Sequence, residues 1–131
     1  MIVVDSSALV AILRREPEAD DFLRAIVQSD GCLLSAIGLL ETSMVLAGRT
    51  GGADSWAALD ALVARAGIQI VAQDAGLAAA ARDAFLRFGK GRHPAGLNLG
   101  DCAAYALAKE RDLPLLYKGN DFAQTDLRIA H

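Results

Sequence analysis

The sequence predicts an α/β fold, with a central, mainly parallel sheet of four or five strands covered by helices on both faces. Short apolar, often β-branched runs recur along the chain, and helical patterns separate each run from the next. Parallel strands need such crossovers, so the alternation itself implies a parallel sheet between helical layers. The length of 131 residues suits one domain that buries roughly two-thirds of its unfolded surface. With no repeat and no linker-like stretch, residues 1–131 are expected to form a single domain.

Ile2, Val3 and Val4 make a first strand that ends at Asp5, and Ser6-Ser7 opens a helix with Leu9, Val10 and Leu13 on one face. Pro17 sits where a first helical turn tolerates it, with Phe22, Ile26 and Val27 as the apolar face of a second helix that ends near Asp30-Gly31. Residues 32–34 read as a strand and 36–49 as a helix stopped by Gly51-Gly52. A further helix follows over 53–66, then an alternating strand over 68–71 that breaks at Asp74. The Ala-rich stretch to Phe88 favours helix. Residues 89–100 turn to Gly, Lys, Arg, His, Pro and Asn, the longest loop signal in the chain. A helix over 99–111, a strand over 114–117 and a short fifth strand over 127–130 complete the pattern.

An apolar fraction of 53% and a mean hydropathy of +0.30 are high for so small a body, and imply that a partner covers some apolar surface. The net charge of -3 excludes a global attraction to nucleic acid, so contact with a polyanion needs a local basic patch or bound cations. Cys32 and Cys102 lack the spacing of a zinc site or a disulfide framework and read as small buried hydrophobes. The first strand starts at once, without the charged and apolar regions of a signal peptide, and no run is long enough to span a bilayer. A cytoplasmic protein, away from membranes, is expected.

Open parallel sheets bind ligands beyond the carboxyl ends of their strands. Asp5 and Asp121 follow strand-like runs, and Asp101 starts the helix that leads into the last major strand. Each has a structural alternative: Asp5 as a helix N-cap, Asp101 in a capping box with Asn98, and Lys118-Gly119-Asn120-Asp121 as an ordinary turn, pinned by a buried Phe122. Glu41 is more informative. Its neighbours one turn away are Ile37, Met44 and Val45, so it projects from an apolar stripe where an unpaired carboxylate is costly. Ser6 is either a capping hydroxyl or a hydrogen-bond donor to a metal-bound carboxylate.

Several carboxylates with only Lys118 among their motifs repel one another, and a divalent cation relieves that repulsion. Oxygen-only ligands favour Mg²⁺ or Mn²⁺ over zinc. Such a site polarises a phosphodiester and activates water without histidine. The two histidines, His93 in the basic loop and His131 at an end expected to fray, make a paired-histidine nuclease hard to assemble. Between Arg82 and His93, the cations Arg82, Arg87, Lys90 and Arg92 face a single acid, Asp83. That segment is a solvated helix end or, beside an acidic metal site, a place to hold an RNA backbone, with Arg14, Arg15 and Arg49 as further cations.

The run Val3-Val4-Asp5-Ser6-Ser7-Ala8-Leu9, the helical Glu41, the segment Leu97-Asn98-Leu99-Gly100-Asp101-Cys102-Ala103-Ala104-Tyr105 and the closing Leu115-Leu116-Tyr117-Lys118-Gly119-Asn120-Asp121-Phe122 together resemble PIN-domain ribonucleases of the VapC toxin type. The resemblance covers nearly the whole chain in order. It implies a PIN-like three-layer sandwich, a Mg²⁺- or Mn²⁺-dependent endoribonuclease, and a type II toxin held off by a cognate antitoxin. Carried over position by position, Asp5 and Asp101 would be the principal metal ligands, Glu41 a ligand or water-orienting base, and Asp121 a ligand to a second metal. Many relatives place that last acid slightly earlier, where Asn120 stands. Ser6, Arg87, Lys90 and Arg92 are the expected substrate contacts. Homodimers, and an antitoxin tail laid across apolar helices near the N-terminus, are also implied.

Two other readings compete with this one. A receiver-like phosphoacceptor domain would use Asp5, Asp74 and Lys118, although it wants an acidic pair after the first strand and leaves Glu41 unexplained. A catalytically inactive RNA- or protein-binding module of the same fold has no use for an acid on an apolar stripe.

Overall fold

In the strands over 2–4, 32–34 and 115–116, alternate residues serve two different cores, which is why these strands are apolar on both faces. The computed structural model describes residues 1–50 and 55–130, with the side chains of 49 and 50 left out. Strands β1 (Ile2–Val4), β2 (Cys32–Ser35), β3 (Ile68–Val71) and β4 (Leu115–Leu116) form a parallel sheet in the order β3-β2-β1-β4. Val3, Leu33 and Leu115 pack with helices α5 (Ala75–Phe88) and α6 (Leu99–Arg111). Ile2, Val4, Leu34 and Leu116 face the other way, onto α1 (Ser6–Leu13), α2 (Ala19–Gln28), α3 (Ala36–Thr50) and α4 (Trp56–Ala66). The expected three-layer α/β sandwich is therefore present, its two cores separated by the sheet. Among the described residues no helix is long and apolar enough to cross a membrane.

The chain steps outward from β1 to β2 to β3, then crosses back so that β4 pairs with the other side of β1. The gap between β1 and β4 is thus a topological switch point, where crevices form at the carboxyl ends of strands.

Several boundaries differ from expectation for local reasons. The second helix starts at Ala19 because Pro17 occupies a tight turn closed by the Ala19 amide, which donates to the Glu16 carbonyl at 2.9 Å. Val27 is 79% exposed, while Phe22 and Ile26 are buried. One residue beyond Ile26 is about 100° around the helix, which carries Val27 off the buried face. On α1 the buried face is Ala8, Leu9, Ala11 and Ile12, with Val10 and Leu13 at its margins. The fourth strand shrinks to Leu115–Leu116, and the fifth to one parallel bridge between Leu115 and Ile129. Cys32, Cys102 and Phe122 are buried, as expected. The Gly51-Gly52 stop, the start of the helix expected from 53, and His131 lie outside the described residues.

Candidate active site

Asp5 ends β1 and caps α1. Its backbone amide donates to the Leu116 carbonyl at 2.9 Å, which ties the end of β1 to β4, and its Oδ2 accepts the Ser7 amide at 3.0 Å and the Ser7 hydroxyl at 2.5 Å. Ser7 Oγ in turn accepts the Lys118 amide at 3.0 Å. A hydroxyl that accepts this amide directs its only proton toward Asp5, so the loop after β4 fixes the Asp5 carboxylate through Ser7.

Glu41 reaches the same edge from α3, where its Oε1 accepts the Ser6 hydroxyl at 2.6 Å. The apolar stripe beside it is not core: Ile37 is only partly buried, Met44 is 64% exposed and Val45 39%. Periodicity shows which residues share a face, not whether that face meets the core. Glu41 itself is half-buried and packs against Gly100, where a Cβ would collide with its carboxylate.

Asp101 occupies the third position of α6 in a complete capping box. Its amide donates to Asn98 Oδ1 at 2.9 Å, and its own Oδ2 accepts the Asn98 amide at 3.1 Å. Capping and a place at the acidic edge therefore coexist for both Asp5 and Asp101. Asp121 is exposed and leads into a short 3-10 helix, Phe122–Gln124, anchored by buried Phe122 against Tyr117 with ring centroids 5.1 Å apart.

Electrostatics show that these acids are neighbours. Burial pushes the Asp5 carboxyl up to about 7, opposed by the two Ser7 hydrogen bonds and reinforced by the charges of Asp101 and Glu41. Burial likewise raises Asp101 to about 6, opposed by the Asn98 amide and reinforced by Glu41 and Asp121. Among the described residues no basic side chain forms an ion pair with Asp5, Glu41 or Asp101. Lys118 turns away to Glu16 at 2.9 Å and Glu18 at 3.4 Å.

The donor set suits a hard divalent cation: it is all oxygen, and Asp5 Oδ1, Glu41 Oε2 and Asp101 Oδ1 enter none of the hydrogen bonds among the described residues. As they stand, no three His, Cys, Asp or Glu side chains among those residues close on one point to hold an ion. The hydrogen bonds to Ser7, Ser6 and Asn98 each engage one oxygen of Asp5, Glu41 and Asp101 respectively.

The basic segment divides. Arg87 is engaged by Asp126 at 3.7 Å and by the Tyr105 hydroxyl at 3.4 Å, and covers the Phe88 ring. Lys90 and Arg92 are exposed in the loop after α5. Arg82 lines a groove of about 440 Å³ with Phe85, Leu99 and Cys102, beside the start of α6. Arg14 donates to the Val45 carbonyl at 3.4 Å, and the Arg49 side chain lies outside the described residues. Asp74 caps α5 after β3, two strands away from β1, so it does not neighbour Asp5 as a receiver-like site requires. Ser7 and Gly100 are the site residues that motif reading passed over. Their signals were a hydroxyl two positions after Asp5 and a glycine inside a first helical turn, where glycine is unfavourable without a reason.

A family model described as PIN domain matches residues 2–127. Ribonuclease VapC of Mycolicibacterium smegmatis is 46% identical over 130 residues, spanning 99% of this chain and 100% of the relative. Among solved structures, Mycobacterium tuberculosis VapC20, described as a sarcin-ricin loop cleaving toxin, superposes with a TM-score of 0.78 at 18% identity, covering 97% of this chain and 96% of that one. A toxin-antitoxin complex from Klebsiella pneumoniae gives a TM-score of 0.72 at 20% identity, covering 96% of this chain and 93% of that one. At these identities the two superpositions show likeness of fold.

Proposed function

The chain belongs to the PIN-domain family of VapC ribonucleases, and we propose that it is a Mg²⁺- or Mn²⁺-dependent endoribonuclease, the toxin of a type II toxin-antitoxin pair. The observation that supports this best is the buried Asp5 beside Asp101 and Glu41, with their repulsion left uncompensated by any basic side chain among the described residues. Asp5 and Asp101 would hold the cation through the oxygens that their hydrogen bonds leave free, and Glu41, held by Ser6, would orient the attacking water or complete the ligand set. Asp121 stands at the rim beside Asp101. When bound, the ion supplies charge neutralisation, polarisation of the phosphodiester and a more acidic water. Arg82, Lys90 and Arg92, with Arg87 where it is released from Asp126, would hold the RNA backbone by its phosphates.

The exposed apolar residues Leu40 and Met44 of α3, with Leu99 at 79% exposure beside the site, form the surface we assign to a second copy of the chain, and Val27 on α2 belongs to the face assigned to the antitoxin. Placement in the cytoplasm follows from this reading.

The test is RNA cleavage by the full chain freed of antitoxin. Activity is expected with Mg²⁺ or Mn²⁺, and lost with EDTA and in Asp5→Asn and Asp101→Asn with folding intact. Full cleavage in EDTA, or in both variants, would refute the mechanism, and stable phosphoryl labelling at Asp74 without RNA cleavage would favour the receiver-like reading. Met44→Asp should shift the oligomer toward monomer in sedimentation, and an unchanged mass would remove α3 from the interface.

A further inference from the structure

We infer that Gly100 is a positioning residue for Glu41, an inference that rests on the acid-site reading above. Gly100 is the second residue of α6, buried, and adjacent to Asp101. Its backbone is not left-handed, unlike Gly67, Gly91, Gly96 and Gly119, so conformation alone does not require glycine there. Helix propensity argues against it, since glycine in a helix costs backbone entropy that alanine does not.

What does require glycine is space. A Cβ at position 100 would fall on both carboxylate oxygens of Glu41 and on its Cδ, within 2.6 Å of the last. From the other side, Ser6 Oγ donates to Glu41 Oε1 at 2.6 Å. The carboxylate is therefore clamped between the first turn of α1, which follows Asp5, and the first turn of α6, which carries Asp101. Glu41 comes from α3 and shares no local sequence with either partner. Only a missing side chain on α6 lets it lie against that helix, with Oε2 outside the Ser6 hydrogen bond. An added methyl group would drive the carboxylate out of this position while leaving the capping box of Asn98 and Asp101 untouched.

The experiment compares the full chain with Gly100→Ala, Glu41→Asp, Glu41→Ala and the double variant G100A/E41D. It reads Mn²⁺ affinity, RNA turnover and the melting temperature of the metal-free protein. Gly100→Ala should weaken Mn²⁺ binding and turnover by roughly ten- to a hundredfold, the scale of a small displacement of a reacting group. In the Glu41→Asp background, where the shorter acid withdraws from the added methyl, the same substitution should cost no more than about twofold, because the two positions act through one contact. Should the collision lower the melting temperature of Gly100→Ala, Glu41→Asp should restore it; failure to restore it places the obstruction elsewhere and overturns the inference. Gly100→Ala with unchanged Mn²⁺ affinity and turnover, while Glu41→Ala loses both, would also overturn it and leave the acid site standing. Unchanged behaviour of Glu41→Ala would overturn the acid-site reading and this inference together.

Discussion

The two ends of α6 treat a carboxylate in opposite ways. At its first turn, Asp101 meets Glu41 and Asp121, and burial and like charge raise its pKa to about 6. Farther along the same helix, Tyr105 and Lys109 receive Asp126, whose Oδ1 accepts the tyrosine hydroxyl at 2.5 Å and whose Oδ2 lies 3.2 Å from the lysine and 3.7 Å from Arg87. The hydrogen bond from Tyr105, then Lys109, holds Asp126 below the usual carboxylate range, while burial and Asp126 together push Tyr105 up to about 12. One end spends folding stability to gather like charges. The other gains it by pairing unlike ones, and in doing so fastens the C-terminal segment to α5 and α6.

The contrast is sharpest in activity. Asp101→Asn should lower RNA cleavage by roughly two to three orders of magnitude, as loss of a preorganised electrostatic group does, whereas Asp126→Asn should leave it within about threefold because Asp126 contributes packing and pairing at the surface. Equal losses in a cleavage assay would break the comparison.

The next effect is on stability, and its sign is the less intuitive one. The folded-state pKa of Asp5 lies above its ordinary 3.8, at about 7, so the folded protein keeps a proton that the unfolded chain has released. Its contribution is full below pH about 4 and lost as the pH rises through about 7. Asp5→Asn should therefore stabilise the metal-free protein at pH 8, by up to about 4 kcal/mol, and have little effect at pH 4. Urea unfolding in EDTA at both pH values measures this, and a pH-independent gain would contradict it.

Asp126 has the opposite sign, being lowered and 43% exposed. Asp126→Asn should destabilise by about 1 kcal/mol or less at neutral pH, discounted for solvent screening, and the loss should fade as the pH falls through the lowered value. Smallest of all, Lys118→Met removes the half-exposed pairs with Glu16 and Glu18, which should lower the melting temperature only slightly, less than Asp126→Asn does, and leave cleavage unchanged.

Much of this site was legible in the chain because its elements are local. Asp5 after a β-branched run, Asn98 three residues before Asp101, and Phe122 behind Asp121 each declare a cap or an anchor within a few residues. Glu41 was legible only as an oddity. Its stripe suggested burial, yet Met44 and Val45 are exposed, and what holds the acid is a serine 35 positions away and a glycine in another helix. Arg87 looked like a free cation for the same reason, since its partner Asp126 lies on a segment that the linear pattern does not connect to it.

By itself the sequence determined the alternation of strand and helix, the helix caps and the order in which four acids occur. It did so because propensity, capping and turn chemistry act over a few residues. Tertiary structure alone decided that β4 returns to the far side of β1, that Lys118 leaves the acids for Glu16 and Glu18, and that Gly100 makes room for Glu41. Those outcomes depend on which distant segments meet at the carboxyl edge of the sheet, and two side chains acquire an interaction energy only once the fold has brought them together.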